Sequence, residues 1–246
     1  KVNCKTTVIC HRIEHLAFPK ILKSIMLNNV CHDSLTIWST KTINKKDVIV
    51  LDIGGTTAKC ALVENGQVKI TTNYKIEHSK TEAGYPIQTP VIDIVEIGNG
   101  GGSIAWIDKG GKMHVGPKSA GAMPGPAAYG RGGKNLTTTD ANIITGRIHP
   151  DYFLGGELQP DYESIEEASK PLCKELNGTK EDIAKGILRI ANANMINALK
   201  LISVNKGYDP RDFTMMVIGG GGAMHGADLA RELQVAELII PPHAGV

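Results

Sequence analysis

Two apolar runs in this chain stop abruptly at glycines, and the rest of the pattern arranges itself around them. Val48-Ile49-Val50-Leu51 leads through Asp52 and Ile53 into Gly54-Gly55-Thr56-Thr57, and Met215-Met216-Val217-Ile218 leads into Gly219-Gly220-Gly221-Gly222. Short unbroken apolar runs bounded by glycine read as buried strands. The pattern predicts strands over 47–51 and 61–63 with the 54–57 turn between them. Glu64-Asn65-Gly66-Gln67 then reads as a hairpin turn, and 67–76 continues the antiparallel pairing. Residues 89–97 form a further strand running into Gly98-Asn99-Gly100-Gly101-Gly102-Ser103. Segments 104–108 and 112–115 flank a second hairpin turn at Lys109-Gly110-Gly111, and 116–135 is a long Gly/Pro/Ala loop of the kind that is often functional.

The helical signals follow. Thr139-Asp140-Ala141-Asn142 caps a short helix through Gly146, and a helix over 161–176 is bounded by Pro160 and Asn177-Gly178. A longer helix starts after Thr179 and runs to about Lys206, with Ile183, Ile187, Ala191, Met195, Leu199 and Ile202 at helical spacing. Gly207 ends it and Asp209-Pro210 blocks continuation. A strand over 213–218, a helix over 223–233 and a strand over 236–240 complete a right-handed crossover, stopped by Pro241-Pro242. There is no internal repeat and no heptad pattern.

Residues 1–46 have a different texture. They hold Cys4, Cys10 and Cys31 with His11, His15 and His32, and a short helix is predicted over 21–30. Cys4 and Cys10 are too widely spaced for the tight ligand pairs of a structural zinc site. The segment reads as a divergent extension, and the α/β domain as residues 47–246.

Composition narrows the function classes. The chain has 246 residues, 41% hydrophobic and 21% charged, which is ordinary for a soluble globular protein. Aromatics at 4% beside 28 glycines argue for close backbone approaches rather than base-stacking platforms, and a net charge of +2 is too small to imply a nucleic acid. No apolar run approaches the roughly 18–20 residues of a membrane helix, and the first residues lack a signal-peptide order. Five cysteines, an odd number, fit reduced thiols in a cytoplasmic protein.

Chemistry concentrates at the glycines. In Asp52-Ile53-Gly54-Gly55-Thr56-Thr57, uncovered amides and two hydroxyls suit phosphate oxygens, and the carboxylate suits a divalent cation or an attacking water. No Gly-Lys-Ser/Thr ends the motif and a strand follows it, so it is not a Walker loop. Gly100, Gly101, Gly102 and Ser103 suggest a second anion or substrate turn. Asp93 and Glu96, three apart on one strand, face opposite ways; Glu96, nearer the glycines, is the candidate base or metal ligand. Gly219, Gly220, Gly221 and Gly222 before a helix allow a nucleotide to approach the backbone, with His225 either a ligand contact or a packing residue. A dinucleotide fold is the rival there, but Gly220-x-Gly222-x-x-x-Gly226 is off by one and its acid would have to be Glu237, within a strand. No serine triad is legible around Ser103 or Ser119, and Cys60 and Cys173 read as core thiols.

In order along the chain come Leu51-Asp52-Ile53-Gly54-Gly55-Thr56-Thr57-Ala58-Lys59, Glu96-Ile97-Gly98-Asn99-Gly100-Gly101-Gly102-Ser103, Gly116-Pro117-Lys118-Ser119-Ala120-Gly121, Pro124-Gly125-Pro126-Ala127-Ala128-Tyr129, Thr139-Asp140-Ala141-Asn142, Asn205-Lys206-Gly207-Tyr208-Asp209-Pro210 and the 219–225 run. This series resembles the hydantoinase A/5-oxoprolinase family, which also includes acetone-carboxylase-like subunits. The chain departs from it at Val95, Ala128 and Lys59, where members often carry His, Cys, and Asp or a similar polar residue.

The resemblance implies an α/β fold of the actin/sugar-kinase/Hsp70 type. Here that means a ribonuclease-H-like lobe with a mixed sheet and flanking helices, facing a second lobe across ATP. It implies ATP and Mg²⁺ coupled to opening of a cyclic amide such as 5-oxoproline or a hydantoin, by phosphorylation of the ring amide oxygen. Asp52, Glu96 and Asp140 are then the expected catalytic residues, with Asp52 holding the metal. Gly54, Gly55, Thr56, Thr57 and 219–222 hold the nucleotide, and 100–103 and His225 lie on the substrate side. Members carry an earlier lobe and continue beyond residue 246, so a partner lobe or subunit, in a homo- or hetero-oligomer, is expected. The alternatives are a carboxylase subunit and a non-catalytic or assembly subunit with half a cleft.

Overall fold

The computed structural model of the chain describes residues 7–9, 44–72, 74–76, 85–87, 90–241 and 244–245. The predicted 21–30 helix and the cysteines and histidines of the first 46 residues lie outside them.

A seven-stranded mixed sheet organises the molecule. Its backbone is β2 (Val48–Ile53), β3 (Ala58–Glu64), β4 (Gln67–Val68), β9 (Ile94–Ile97), β12 (Thr214–Ile218) and β13 (Glu237–Ile239). Strand β1 (Thr7–Ile9) lies along the outer side of β13. The order is β1-β13-β12-β2-β3, with β3 carrying both β4 and β9 on its far side. Strands β1, β13, β12 and β2 are parallel, whereas β3 is antiparallel to β2, β4 and β9. An antiparallel hairpin extended by parallel crossovers is the ribonuclease-H-like arrangement expected, and the lobe is of the actin/sugar-kinase/Hsp70 type. It is not the doubly wound parallel sheet of a dinucleotide fold.

Strand β2 lies between two strands, which is why its sequence is nearly all aliphatic: Val48, Ile49, Val50 and Leu51 are each 0% exposed. Its alternate residues Ile49, Leu51 and Ile53 share one core with Met215, Val217 and Leu238. Four helices close that core: α1 (Thr138–Ile144), α2 (Tyr162–Leu176), α3 (Lys180–Ile202) and α4 (Gly222–Leu233). The periodic positions Ile183, Ile187, Ala191, Met195, Leu199 and Ile202 of α3 are all buried in it. The other sheet face carries Val48, Val50, Val63, Met216, Ile218 and Ile239 as a second buried cluster. Asp52 continues this second row where the apolar residues end.

Three predicted elements change. The 67–76 segment divides among β4, β5 (Ile70–Thr71) and β6 (Tyr74–Ile76), which pair with β3, β8 (Val91–Ile92) and β7 (Tyr85–Ile87) in turn. The 89–97 strand breaks at Asp93, whose amide donates to Lys69 O and whose carboxylate pairs with Lys206. The long helix ends at Ile202, because Ser203 leaves helical geometry at φ −113, ψ −87 and its hydroxyl donates to Leu199 O. The second hairpin, β10 (Ser103–Ile107) and β11 (Met113–Ser119), forms as expected but reaches further into the glycine/proline loop. Cys60 is buried, its thiol donating to Val95 O, and burial pushes it up to about 12; it is a core thiol. Among the described residues no helix is long and apolar enough to cross a membrane.

Candidate functional site

Topology brings the glycine turns together before any side chain is considered. Strands β2 and β12 are parallel, and β9 runs the same way because both β2 and β9 are antiparallel to β3. All three therefore end at one edge of the sheet. Each empties into glycines there: Gly54-Gly55 after β2, Gly98 to Gly102 after β9, Gly219 to Gly222 after β12. Ligand crevices of α/β sheets lie outside such carboxyl ends.

The turns touch backbone to backbone. Gly101 N–H donates to Gly54 O at 2.9 Å, Gly102 N–H to Gly55 O at 2.6 Å, and Gly221 N–H to Ile53 O at 2.8 Å. These contacts require glycine. A Cβ on Gly100 would stand 2.6 Å from Gly54 O, and one on Gly219 would stand 2.3 Å from Asp52 Oδ1 and 2.5 Å from Ile53 O. Gly219 also sits at φ +80, a conformation other residues rarely adopt.

The turn after β9 has a different duty from the turns after β2 and β12. Gly100 N–H donates to Ser103 Oγ at 2.8 Å, so the amides of Gly100, Gly101 and Gly102 are all turned inward. Gly100, Gly102 and Ser103 are buried. The amides expected to offer a second anion turn are thus engaged within the fold, where the segment buttresses the β2–β3 hairpin. Asn99, which sequence reasoning passed over, anchors it by donating to Ala191 O of α3 at 2.7 Å. By contrast, Gly55, Thr56 and Gly220 are exposed, Thr57 is half-buried, and among the described residues their amides have no backbone partner. The half-buried Asp52 carboxylate, two residues before the first of these turns, lies against Gly219 at the start of the other.

Glu96 faces the same side as Asp52 and lies two strands away. The register pairs Asp52 with Lys59 and Lys59 with Glu96, so the three form one row across the sheet. Lys59 Nζ is 3.8 Å from Glu96 Oε1. Asp93, where the strand breaks, does not join this row and pairs with Lys206. Among the described residues no group of three or more His, Cys, Asp or Glu could hold a metal ion. A Mg²⁺ ion that takes one carboxylate and otherwise phosphate oxygens and water needs no such group, and Asp52 fits that donor set.

Asp140 does not face the rim. It is 0% exposed, the third residue of α1, and closes a capping box with Thr137. Its oxygens accept from Ala128 N–H at 2.8 Å, Ala127 N–H at 3.3 Å, and the amide and hydroxyl of Thr137 at 2.8 Å each. Burial pushes the carboxyl up, against the pull of these donors. With its lone pairs taken and no exposed atom, Asp140 clamps the 124–128 loop to the helix rather than touching substrate. Asp140→Ala strands several buried donors, and we expect it to cost about 3 kcal/mol of stability in urea denaturation.

His225 is also an internal residue. Its Nδ1–H donates to Asn192 Oδ1 at 2.7 Å and its Nε2 accepts from Asn142 Nδ2 at 3.4 Å, joining α4, α3 and α1. Of the two readings open in the sequence, the packing role is the one the geometry supports. Burial, helped by nearby Arg147, lowers its pKa to about 4. The unfolded chain therefore binds this proton first, near its ordinary value of about 6.5, and stability present above that pH is lost as pH falls toward 4. At 1.36 kcal/mol per pH unit, the span from 6.5 to about 4 corresponds to roughly 3 kcal/mol. Chemical denaturation between pH 7 and 4 should show this slope, and His225→Gln should flatten it.

A family model described as hydantoinase/oxoprolinase matches residues 35–246. An uncharacterized protein of Methanocaldococcus jannaschii is 42% identical over 213 residues, covering 84% of this chain and 31% of that protein. Among solved structures, the ATP-dependent caprolactamase from Pseudomonas jessenii aligns with a TM-score of 0.77 at 32% identity, over 88% of this chain and 31% of that one. The nucleotide-free structure of acetone carboxylase aligns with a TM-score of 0.76 at 26% identity, over 85% and 29%. The chain thus spans under a third of the length of each.

Proposed function

The chain belongs to the hydantoinase/oxoprolinase family, and from that premise we propose that it is the nucleotide-binding lobe of an ATP-dependent enzyme that opens a cyclic amide. In this reading residues 47–246, with β1 along the edge of their sheet, form the lobe, and a partner lobe or subunit closes the cleft. The observation that carries it is the convergence of the β2–β3 hairpin and the Gly219–Gly222 turn, with free amides on both and the Asp52 carboxylate against Gly219. Donors without partners at the ends of strands suit phosphate oxygens, and a lone carboxylate suits the cation that accompanies them.

The roles divide accordingly. Gly55, Thr56 and Thr57 receive the phosphates, Gly220 and its neighbours lie along the adenosine side, and Asp52 holds Mg²⁺. The ion, when bound, supplies neutralisation of charge on the phosphoryl oxygens. Phosphorylating the oxygen of a ring amide turns an unreactive carbonyl into a centre that water can attack. The names of the family and of the caprolactamase both point to cyclic amides. Acetone carboxylase marks ketone carboxylation as the alternative use of the same activation.

The test is Mg-ATP-dependent disappearance of 5-oxoproline, hydantoin or caprolactam with matching phosphate release, using the chain together with the polypeptide that completes it. Ring opening without ATP, or none with any of these substrates, sinks the amidohydrolase reading. A non-catalytic or assembly subunit is the second reading. In that reading one lobe alone excludes water too poorly for phosphoryl chemistry and serves to complete a partner. Calorimetry separates the two: heat on adding Mg-ATP to the isolated chain favours the first, and its absence favours the second.

A further inference from the structure

The row Asp52–Lys59–Glu96 places an ammonium beside the candidate phosphate rim. Residues directly opposite on antiparallel strands point to the same face with Cβ atoms about 4.5–5.5 Å apart. Lys59 is thus the immediate cross-strand neighbour of Asp52, two residues past Thr57 in the hairpin. Its side chain is 31% exposed, and its contact with Glu96 is at the outer limit of an ion pair, 3.8 Å, with Glu96 50% exposed. Exposed pairs of this kind contribute little and are readily exchanged.

We propose that Lys59 is a phosphate-binding residue, held by Glu96 in the free protein and transferred to the terminal phosphates of a bound nucleotide. The proposal rests on the nucleotide reading and deepens it. The rim alone offers neutral amides and hydroxyls with one carboxylate, which repels a polyphosphate carrying several negative charges. An ammonium is a compact point of counter-charge on a flexible stem, with three rotatable donors. Turning from one carboxylate to a polyphosphate increases the charge it faces, while Glu96, already half exposed, is left to solvent. Arrival of the phosphates therefore exchanges a weak pair for a stronger one. A purely structural Lys59 would instead serve only to tie β3 to β9 through Glu96.

Calorimetric titration of the 246-residue chain with Mg-ATP, Mg-ADP and adenosine distinguishes these roles. Lys59→Gln should weaken Mg-ATP binding roughly tenfold, as loss of a charge-assisted contact does. Mg-ADP should lose less and adenosine nothing. Lys59→Arg, which keeps the charge, should stay within about threefold of the parent, and Glu96→Gln, which frees the ammonium, should bind Mg-ATP about two- to threefold tighter. Equal losses in Lys59→Gln and Glu96→Gln assign Lys59 to the strand pair and overturn the proposal. Unchanged Mg-ATP affinity in Lys59→Gln overturns it while leaving the nucleotide reading intact. A parent chain that binds no nucleotide overturns both.

Discussion

Gly219→Ala is expected to destabilise the protein by about 3–4 kcal/mol and to abolish nucleotide binding in whatever remains folded. Two independent costs combine. The residue sits at φ +80, where an alanine is strained wherever it is placed. Its Cβ would also meet Asp52 Oδ1 at 2.3 Å and Ile53 O at 2.5 Å. The carboxylate could swing away, but the Ile53 carbonyl belongs to β2 and accepts the Gly221 amide, so it has nowhere to go. Relief of the clash must separate β12 from β2 at their shared end, which is where the candidate site lies. Urea denaturation gives the stability term and calorimetry with Mg-ATP the binding term. Gly55→Ala is the control: its Cβ meets nothing within 4 Å and it should fold normally. A Gly219→Ala protein with parental stability and ATP affinity would mean that the two turns are not held as described.

Asp52→Asn is expected to do the reverse, leaving the fold alone and stopping the chemistry. Asp52 is half-buried and forms no ion pair among the described residues, so its removal should change stability by no more than about 0.5 kcal/mol. As the carboxylate that holds Mg²⁺ against the phosphates, it should control turnover: phosphate release from Mg-ATP should fall about 10²–10³-fold, the usual cost of deleting one preorganised electrostatic group. The Mg²⁺ concentration needed for half-maximal binding of ATP should rise as well. Adenosine, which carries no phosphate, should bind the variant as it binds the parent. Parental turnover in Asp52→Asn would remove this residue from the site and leave the cluster of turns without a chemical centre.

The fold was legible where burial and pattern agree. The aliphatic run at 48–51, the 3.6-residue spacing of α3 and the strand–glycine–helix crossover at 213–240 all follow from single-segment rules. The 67–97 region was not, because its short strands share three different partners, and pairing between distant segments leaves no local periodicity. Within the site, the Gly-Gly-Thr-Thr hairpin and the Gly219–Gly222 turn could be found because glycine before a helix or in a hairpin has few explanations. Asp140 and the 100–103 turn were harder. A carboxylate that caps a helix and one that meets a substrate look alike in sequence, and so do glycines chosen for free amides and glycines chosen for close packing. Only the hydrogen-bond partners of Asp140 and of Gly100, Gly101 and Gly102 separate them. Lys59 was visible solely as a departure from the family pattern, and its position opposite Asp52 needed the strand register.

The hydrogen bonds of the rim form a closed circuit. Gly54 is held by Gly101, Gly101 O by the Thr139 amide of α1, α1 by Asn142 to His225 of α4, and α4 by its Gly221 cap back to Ile53. A ring has no free end from which to unravel. Deuterium uptake at Gly101, Thr139 and Gly221 should therefore proceed at one common rate, and a ligand that stiffens any one link will slow exchange at all three.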